Sequence, residues 1–182
     1  MAFWKTSLPV EDRFEDSREQ SWSEGLLVVL MADDDEDDYL LVKSAFDAGP
    51  IRVDLRWVTD GREAMDYLLR RGNYRAPESS PHPDLILLDI IMPGKDGLET
   101  LKEIKGNRKL QKIPVVLLTS SRKEEYQASG LRLGADSFIV KPHDFSQMVR
   151  ILSDLHEHYF GIIRLPDCER CGNPHTGRCW LY

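Results

Sequence analysis

The sequence predicts an α/β fold of five βα units, (βα)5, with helices on both faces of a doubly wound parallel sheet. From residue 26 onward, short aliphatic runs alternate with amphipathic segments, the pattern of repeated strand–helix units. The run at residues 85–88 is continuously aliphatic, as expected for a strand buried on both faces. A carboxylate follows it directly, at the edge where open α/β sheets place their chemistry.

The first two units are predicted between residues 26 and 71. A strand at 26–32 precedes an acidic loop and a helix that ends at Gly49-Pro50. An alternating strand at 53–58 leads into a second helix over 61–71, and both helices carry apolar residues at helical spacing. Three prolines between residues 72 and 83 exclude a continued helix and predict a surface loop.

The last three units are predicted between residues 84 and 160. The third strand ends at Asp89 and precedes a helix over 98–105, and a fourth strand at 114–119 precedes a helix over 124–133. The fifth strand, 137–140, ends just before Lys141-Pro142, and a long amphipathic helix closes the domain at Phe160. Parallel pairing of these strands would bring all five carboxyl ends to one edge.

Composition limits the classes of partner. The chain has 182 residues and a formal net charge of −7, without clusters of Lys and Arg, so neither nucleic acid nor an anionic membrane surface is favoured as its main partner. No apolar stretch approaches the roughly 20 residues that span a bilayer. The first residues lack a basic start and an apolar core, so no secretory signal is predicted and the cytoplasm is the expected location.

Three regions are expected along the chain. Residues 1–25 are polar and charged and predict a flexible leader, residues 26–160 form the globular domain, and residues 161–182 form a tail rich in Cys and His. The tail is shorter than a helix-turn-helix DNA-binding domain. A stand-alone protein that acts through its surface, or through the small tail, is therefore expected.

Polar residues from four strands are predicted to converge at one edge of the sheet. The first strand delivers Asp33 and Asp34, the third Asp89, the fourth Thr119 and the fifth Lys141. Converging carboxylates repel one another, and their oxygens are the ligands that Mg²⁺ prefers. With Lys141 and Thr119 to stabilise a phosphoryl group, the arrangement predicts phosphoryl transfer to the carboxylate of Asp89.

Four motifs in order resemble the receiver domain of two-component response regulators. They are Ala32-Asp33-Asp34-Asp35, Leu88-Asp89 followed by Met92-Pro93-Gly94-Lys95-Asp96-Gly97, Leu118-Thr119-Ser120, and Val140-Lys141-Pro142. The resemblance covers residues 26–160 and implies the flavodoxin-like strand order 2-1-3-4-5. The insert at 72–83 and residues 113–121 resemble single-domain regulators that partner bacterial phytochrome kinases.

The resemblance implies a set of site residues. Asp89 would be the phosphoacceptor, and Mg²⁺ would be held by the acidic pair Asp33 and Asp34, by Asp89 and by the backbone carbonyl of Ile91.

The same resemblance implies a switch. Thr119 and Lys141 would contact the phosphoryl group, the Lys141-Pro142 bond would be cis, and Phe138 would occupy the aromatic switch position. From its own pattern alone, Phe138 would be an ordinary core residue.

The resemblance also implies a biological role. The protein would be a cytoplasmic, bacterial phosphorelay component, phosphorylated by a sensor histidine kinase, of phytochrome type by the narrower match, or by a phosphotransfer protein. It would be a phospho-accepting switch with slow self-dephosphorylation rather than an enzyme, and a homodimer is a candidate assembly.

Simpler interpretations apply to several polar residues. The acidic run at residues 35–38 favours a helix N-terminus, where each carboxylate contributes roughly 0.3 to 1 kcal/mol. Asp96 and Gly97 are expected to be turn and cap residues, and Thr59-Asp60-Gly61 an ordinary loop into a helix.

The tail offers four ligands of the types that Zn²⁺ prefers: Cys168, Cys171, His175 and Cys179. Together they could complete a closed tetrahedral site that resembles a zinc knuckle with shortened loops. Free thiols, or a redox pair at Cys168 and Cys171, are the alternatives.

Two other functional classes compete with the switch. A Mg²⁺-dependent phosphatase that forms an aspartyl phosphate would place an acidic residue two positions after its nucleophile, where this chain has Ile91. A zinc-dependent nucleic-acid or protein binder would depend on the tail alone.

Overall fold

The computed structural model describes residues 26–49, 52–120, 124–142 and 144–160. Its strands are β1 (Leu27–Ala32), β2 (Val53–Val58), β3 (Leu85–Asp89), β4 (Val115–Thr119) and β5 (Ser137–Val140). Its helices are α1 (Glu36–Ala48), α2 (Gly61–Leu68), α3 (Gly97–Gly106), α4 (Glu124–Arg132) and α5 (Phe145–Phe160), with a 3₁₀ turn at Gly72–Tyr74. Every predicted strand and helix is present. The predicted leader and the Cys/His tail lie outside the described residues.

The strands form one sheet in the order β2-β1-β3-β4-β5, and every neighbouring pair is parallel. This confirms the doubly wound, flavodoxin-like prediction. The winding direction reverses at β1, whose two neighbours are β2 and β3, and such a switch point opens a crevice outside the carboxyl ends of the strands. Asp33 follows β1 and Asp89 is the last residue of β3, so both lie at this crevice.

Two apolar layers hold the sheet, one on each face. Val29 and Met31 of β1 pack in a cluster with residues of α1 and α5, whereas Leu30 and Ala32 pack in a second cluster with residues of α2 and α3. All five residues of β3 and all five of β4 are buried. Each buried aliphatic side chain contributes roughly 1.5 to 3 kcal/mol, so the strand ends that carry the polar residues have rigid support.

Helix α2 ends at residue 68, three residues earlier than the sequence predicts. Arg71 N donates to Asp66 O at 2.8 Å and Arg70 N donates to Tyr67 O at 3.2 Å, which is the Schellman arrangement at a helix C-terminus. Arg70 adopts the left-handed conformation with φ of 54°. The prediction placed the helix end at the next glycine, but here an arginine takes the position that glycine usually occupies.

The insert at residues 72–83 packs against α2. Tyr74 Oη donates to Glu63 Oε1 at 2.7 Å, Tyr67 Oη donates to Pro81 O at 2.9 Å, and the buried Ser80 Oγ donates to Tyr74 O at 2.7 Å. The predicted loop is therefore fixed in place. Within the described ranges, no helix has the length and apolarity that crossing a membrane requires.

Candidate functional site

Three carboxylates meet at the carboxyl ends of β1 and β3. Asp33 and Asp34 directly follow β1, Asp89 ends β3, and one oxygen from each lies within 4.8 Å of the others. Asp33 and Asp89 are buried, whereas Asp34 is exposed. The structure thus brings together the three side chains that the sequence predicted as metal ligands. We call this group the acidic cluster.

Lys141 lies directly after β5 and reaches into the acidic cluster. Its Nζ lies 2.8 Å from Asp33 Oδ2 and 3.0 Å from Asp89 Oδ1. It also lies 2.6 Å from Asp38 Oδ2, to which it donates a hydrogen bond. The Lys141 side chain is 11% exposed, so one largely buried ammonium serves three carboxylates.

Burial controls the charge state of this site. It raises the pKa of Asp33 from an ordinary 3.8 to about 6, against the opposing ion pair with Lys141. Burial also raises the pKa of Asp89, again opposed by Lys141. For Lys141, burial acts to lower the pKa, but the ion pairs with Asp33 and Asp38 and the charge of Asp89 outweigh it, and the pKa rises. The carboxylates therefore hold more negative charge than a single lysine compensates.

Backbone groups fix the orientation of the two buried carboxylates. Ile91 N donates to Asp89 Oδ2 at 2.8 Å, and Asp35 N donates to Asp33 Oδ1 at 3.1 Å. The Trp57 indole Nε1 donates to the backbone carbonyl of Asp33 at 2.8 Å. One oxygen of each buried carboxylate is thus held by a main-chain amide, while the other faces Lys141. The indole bond is a contact that the sequence did not reveal.

Asp35 and Asp38, at the start of α1, have different roles, and the sequence predicted only that of Asp35. Asp35 caps α1 by accepting a hydrogen bond from Asp37 N at 2.8 Å, as expected for a helix start. Asp38 was assigned to the same helix-start effect, but its carboxylate instead accepts a hydrogen bond from Lys141. Sequence spacing within an acidic run gives no sign of which carboxylate faces the sheet.

Thr119 and Phe138 flank Lys141 along the last two strands. Thr119 is the fully buried last residue of β4, and its carbonyl accepts a hydrogen bond from Lys141 N at 2.8 Å. Phe138 in β5 pairs with Leu117 and is only partly buried, packing against the core layer on the α2 and α3 face. The phosphoryl-binding role of Thr119 and the switch role of Phe138 stay predictions.

The Lys141-Pro142 peptide bond is trans, as are the other described peptide bonds. The expected cis bond is therefore wrong for this structure. A trans bond is the lower-energy form for a residue before proline by about 0.5 to 1 kcal/mol, and here it coexists with a Lys141 side chain that already reaches Asp33 and Asp89.

Two glycines permit the loop after β3 to fold back over Asp89. A Cβ on Gly97 would collide with the backbone carbonyl oxygen of Asp89 and come within 2.9 Å of Ile90 Cα. A Cβ on Gly61 would collide with the Thr100 hydroxyl and come within 2.7 Å of the Lys95 carbonyl. The sequence predicted only cap or loop roles for these glycines. A glycine that ends a tight loop beside a buried strand end was the available signal.

The residues present fit a hard divalent cation. Asp33 Oδ2 is buried and, although it faces Lys141, accepts no hydrogen bond within the part of the chain described. The Lys141 ammonium is shared with Asp38 and Asp89, so its single charge is divided among three carboxylates. Asp33, Asp34 and Asp89 together provide three oxygen ligands, the type that Mg²⁺ and Mn²⁺ accept. The contribution of the Ile91 carbonyl stays a prediction.

Comparison with known proteins identifies relatives of the whole described domain. The family model for the response regulator receiver domain matches residues 29–153. The chain is 34% identical over 139 residues to response regulator Rcp1 from Synechocystis sp., covering 76% of this chain and 92% of that protein.

Solved structures give the same result. The phosphorylated cyanobacterial phytochrome response regulator RcpA superposes with a TM-score of 0.70 at 33% identity, over 78% of this chain and 99% of RcpA. The Mn²⁺-bound form of Rcp1 superposes with a TM-score of 0.67 at 34% identity, over 77% of this chain and 99% of the Rcp1 chain.

Proposed function

The chain belongs to the response regulator receiver family, and we propose that it is a two-component switch whose Asp89 accepts a phosphoryl group in a Mg²⁺-dependent reaction. The single observation that carries this proposal is the surroundings of Asp89. Its carboxylate is buried at the end of β3, within 4.8 Å of the oxygens of Asp33 and Asp34 and 3.0 Å from Lys141 Nζ.

The proposed reaction is a phosphoryl transfer from a phosphohistidine. A carboxylate oxygen of Asp89 forms a bond to phosphorus while the P–N bond of the donor breaks, and the electron pair of that bond stays on the imidazole nitrogen. The bond from Ile91 N to Asp89 Oδ2 holds the carboxylate in one orientation, which keeps its reacting oxygen aligned with an incoming phosphorus atom.

Charge compensation is the main task of the other residues. The Lys141 ammonium faces Asp89 and would donate to an equatorial phosphoryl oxygen, and the Thr119 hydroxyl at the end of the neighbouring strand would donate to another. A cation held by Asp33, Asp34 and Asp89, with the Ile91 carbonyl as a further ligand, would supply Lewis-acid stabilisation of the same charge. We propose Mg²⁺ as that cation.

We propose a sensor histidine kinase of phytochrome type as the phosphoryl donor, with a phosphotransfer protein as the alternative. The similarity to RcpA, a cyanobacterial phytochrome response regulator, supports this assignment. Phosphorylation would be transmitted through Thr119, Lys141 and Phe138 to the surface formed by α4, β5 and α5, where a change in homodimerisation or partner binding is expected. The proposal includes the cytoplasmic location expected from the sequence.

Reaction with a small donor tests the proposal. Acetyl phosphate and Mg²⁺ should add one phosphoryl group to the protein, as measured by intact mass spectrometry, and Asp89→Asn should remove the modification. Undiminished phosphorylation of Asp89→Asn would show that the acceptor lies elsewhere. A phosphotransfer screen against candidate histidine kinases then identifies the partner.

The phosphatase alternative has less support. The residue two positions after Asp89 is Ile91, which is 53% exposed and carries no acidic group to protonate a leaving group. We therefore propose a phospho-accepting switch with slow self-dephosphorylation.

We also propose a structural zinc site in the tail, formed by Cys168, Cys171, His175 and Cys179. The support is the ligand chemistry of the sequence, since a closed set of thiolates and imidazole suits Zn²⁺. Such a site would add a small protein-binding surface to the receiver and would take no part in its phosphoryl chemistry.

A further inference from the structure

Asp38 makes the shortest contact to Lys141. Its Oδ2 lies 2.6 Å from Lys141 Nζ, compared with 2.8 Å for Asp33 and 3.0 Å for Asp89. Among the described side chains, it is also the one that accepts a hydrogen bond of good geometry from this ammonium. Lys141 is thus held most directly by a residue of α1 that lies 103 positions earlier in the chain.

Asp38 differs from the other two partners because it does not belong to the acidic cluster. Among the described residues, the three side chains that can share a cation are Asp33, Asp34 and Asp89. A cation bound there would draw the oxygens of Asp33 and Asp89 away from Lys141, since those oxygens would compensate the larger charge. Asp38 would keep its hydrogen bond, and it is therefore the partner that can hold Lys141 in place while the metal site fills.

The number of donors on the ammonium explains why one anchor is sufficient. A lysine ammonium has three N–H donors, and here three carboxylates surround it. When a phosphoryl group is attached to Asp89, that carboxylate loses its negative charge. The N–H beside it can then donate to a phosphoryl oxygen, provided that another bond keeps the ammonium from moving away.

The first turn of α1 gives Asp38 a fixed position. Asp35 caps the helix, and Tyr39 stacks on Trp57 with ring centroids 4.6 Å apart and an interplanar angle of 10°. The Trp57 indole is itself bonded to the Asp33 carbonyl. The turn that carries Asp38 is therefore attached to the same strand end that carries the acidic cluster.

We propose that Asp38 is a positioning residue for phosphorylation of Asp89: it anchors the Lys141 ammonium from outside the metal ligand set, so that one N–H passes from Asp89 to the phosphoryl group. This inference rests on the proposed phosphorylation of Asp89. Loss of the anchor should slow phosphorylation roughly threefold to tenfold, which corresponds to about 0.7 to 1.4 kcal/mol and is the effect of losing one hydrogen bond of ordinary net strength.

The test compares Asp38→Asn with Asp37→Asn in the full chain. Asp37 lies in the same helical turn and is exposed, so its substitution makes the same change in charge without a contact to Lys141. Phosphorylation by acetyl phosphate is followed by intact mass spectrometry at saturating Mg²⁺. We expect the rate to fall threefold to tenfold in Asp38→Asn and less than twofold in Asp37→Asn, and Asp38→Glu to recover most of the rate.

A second comparison, made in protein that lacks the Lys141 side chain, distinguishes positioning of Lys141 from a general effect of charge. In Lys141→Ala protein, Asp38→Asn should have no further effect, because coupled residues give non-additive changes. A Mg²⁺ titration by calorimetry, which needs no phosphoryl donor, should show binding at least threefold weaker in Asp38→Asn than in Asp37→Asn, since a released Lys141 competes for Asp33 and Asp89. If Asp38→Asn fails to fold, Asp38→Ser replaces it.

The outcomes distinguish the two proposals. Wild-type protein that accepts no phosphoryl group would overturn the proposed function itself. Wild-type protein that is phosphorylated while Asp38→Asn behaves like Asp37→Asn would overturn only the role of Asp38. Equal effects of Asp38→Asn with and without Lys141 would also overturn it, because the residue would then act independently of the lysine.

Discussion

Two lysine–aspartate groups lie at opposite edges of the same sheet. They differ in how many carboxylates surround the lysine. At the edge where the strands end, Lys141 faces Asp33, Asp38 and Asp89. At the edge where the strands begin, Lys105 faces Asp136 at 2.8 Å, and both side chains are 16% exposed. The lysines are buried to a similar extent, so the carboxylate count is the main difference.

The Lys105 pair is satisfied by the backbone. Asp136 Oδ2 also accepts from Val115 N at 3.0 Å, and Lys105 Nζ donates to the Ile113 carbonyl at 3.0 Å. This pair joins the C-terminal part of α3 to the starts of β4 and β5, which is a structural role. The Lys141 group instead concentrates negative charge, a cost that is expected at a functional site and that a bound cation would offset.

The largest effects on phosphorylation and stability are expected when one aspartate at each edge of the sheet is replaced with asparagine. Asp89→Asn should abolish phosphorylation by acetyl phosphate without lowering stability at neutral pH, because burial disfavours the charged form of Asp89. Asp136→Asn should be phosphorylated normally but should lose about 1 to 3 kcal/mol of unfolding free energy. Mass spectrometry and urea denaturation measure the two quantities, and a destabilised Asp89→Asn would contradict the comparison.

The two ends of α3 offer a matched pair of glycines. Gly97→Ala, at the edge where the strands end, should lower the unfolding free energy by about 1 to 3 kcal/mol and slow phosphorylation, because the new methyl group collides with the Asp89 carbonyl. Gly106→Ala, at the other end of α3 with open space around it, should stabilise by about 0.5 to 1 kcal/mol. Urea denaturation compares them, and equal shifts would show that the loop after β3 can adjust.

A pH-dependent effect is expected at Asp33. Its pKa is raised to about 6 in the folded protein, so burial of the charged form is unfavourable above that pH and has no cost below about pH 4. Asp33→Asn should therefore be more stable than wild type by about 1 to 3 kcal/mol above pH 6, and this advantage should shrink as the pH falls. Urea denaturation in metal-free buffer from pH 4.5 to 8 measures the difference.

The sign of the stability change should differ between the two edges of the sheet. Asp136→Asn, the control, should be less stable than wild type across the same pH range, because its carboxylate is well bonded. Saturating Mg²⁺ should remove the advantage of Asp33→Asn, since only the charged wild-type side chain binds the ion. A stability difference at Asp33 that ignored both pH and Mg²⁺ would show that the carboxylate carries no penalty.

The sequence was sufficient to predict the fold and the residues at strand ends. Continuous aliphatic runs locate buried parallel strands, and parallel strands necessarily bring Asp33, Asp89, Thr119 and Lys141 to one edge. Residues on helices and loops were harder to assign. Asp38 on α1 contacts Lys141 after β5, the Trp57 side chain bonds to the Asp33 carbonyl after β1, and Gly97 closely approaches Asp89. None of these contacts has a signal in sequence spacing.

The smallest effect on the receiver is expected from the tail. If Cys168, Cys171, His175 and Cys179 form a closed zinc site, native mass spectrometry of zinc-supplemented protein should show one bound Zn²⁺, and Cys168→Ser/Cys171→Ser should lose it. Phosphorylation of Asp89 should be unchanged in that variant, because the described contacts of Asp89 are made by strand ends, the loop after β3 and the start of α3. If zinc-supplemented wild-type protein contains no zinc, the cysteines are unligated thiols. If the double serine variant is phosphorylated more slowly than wild type, the tail supports the acidic cluster.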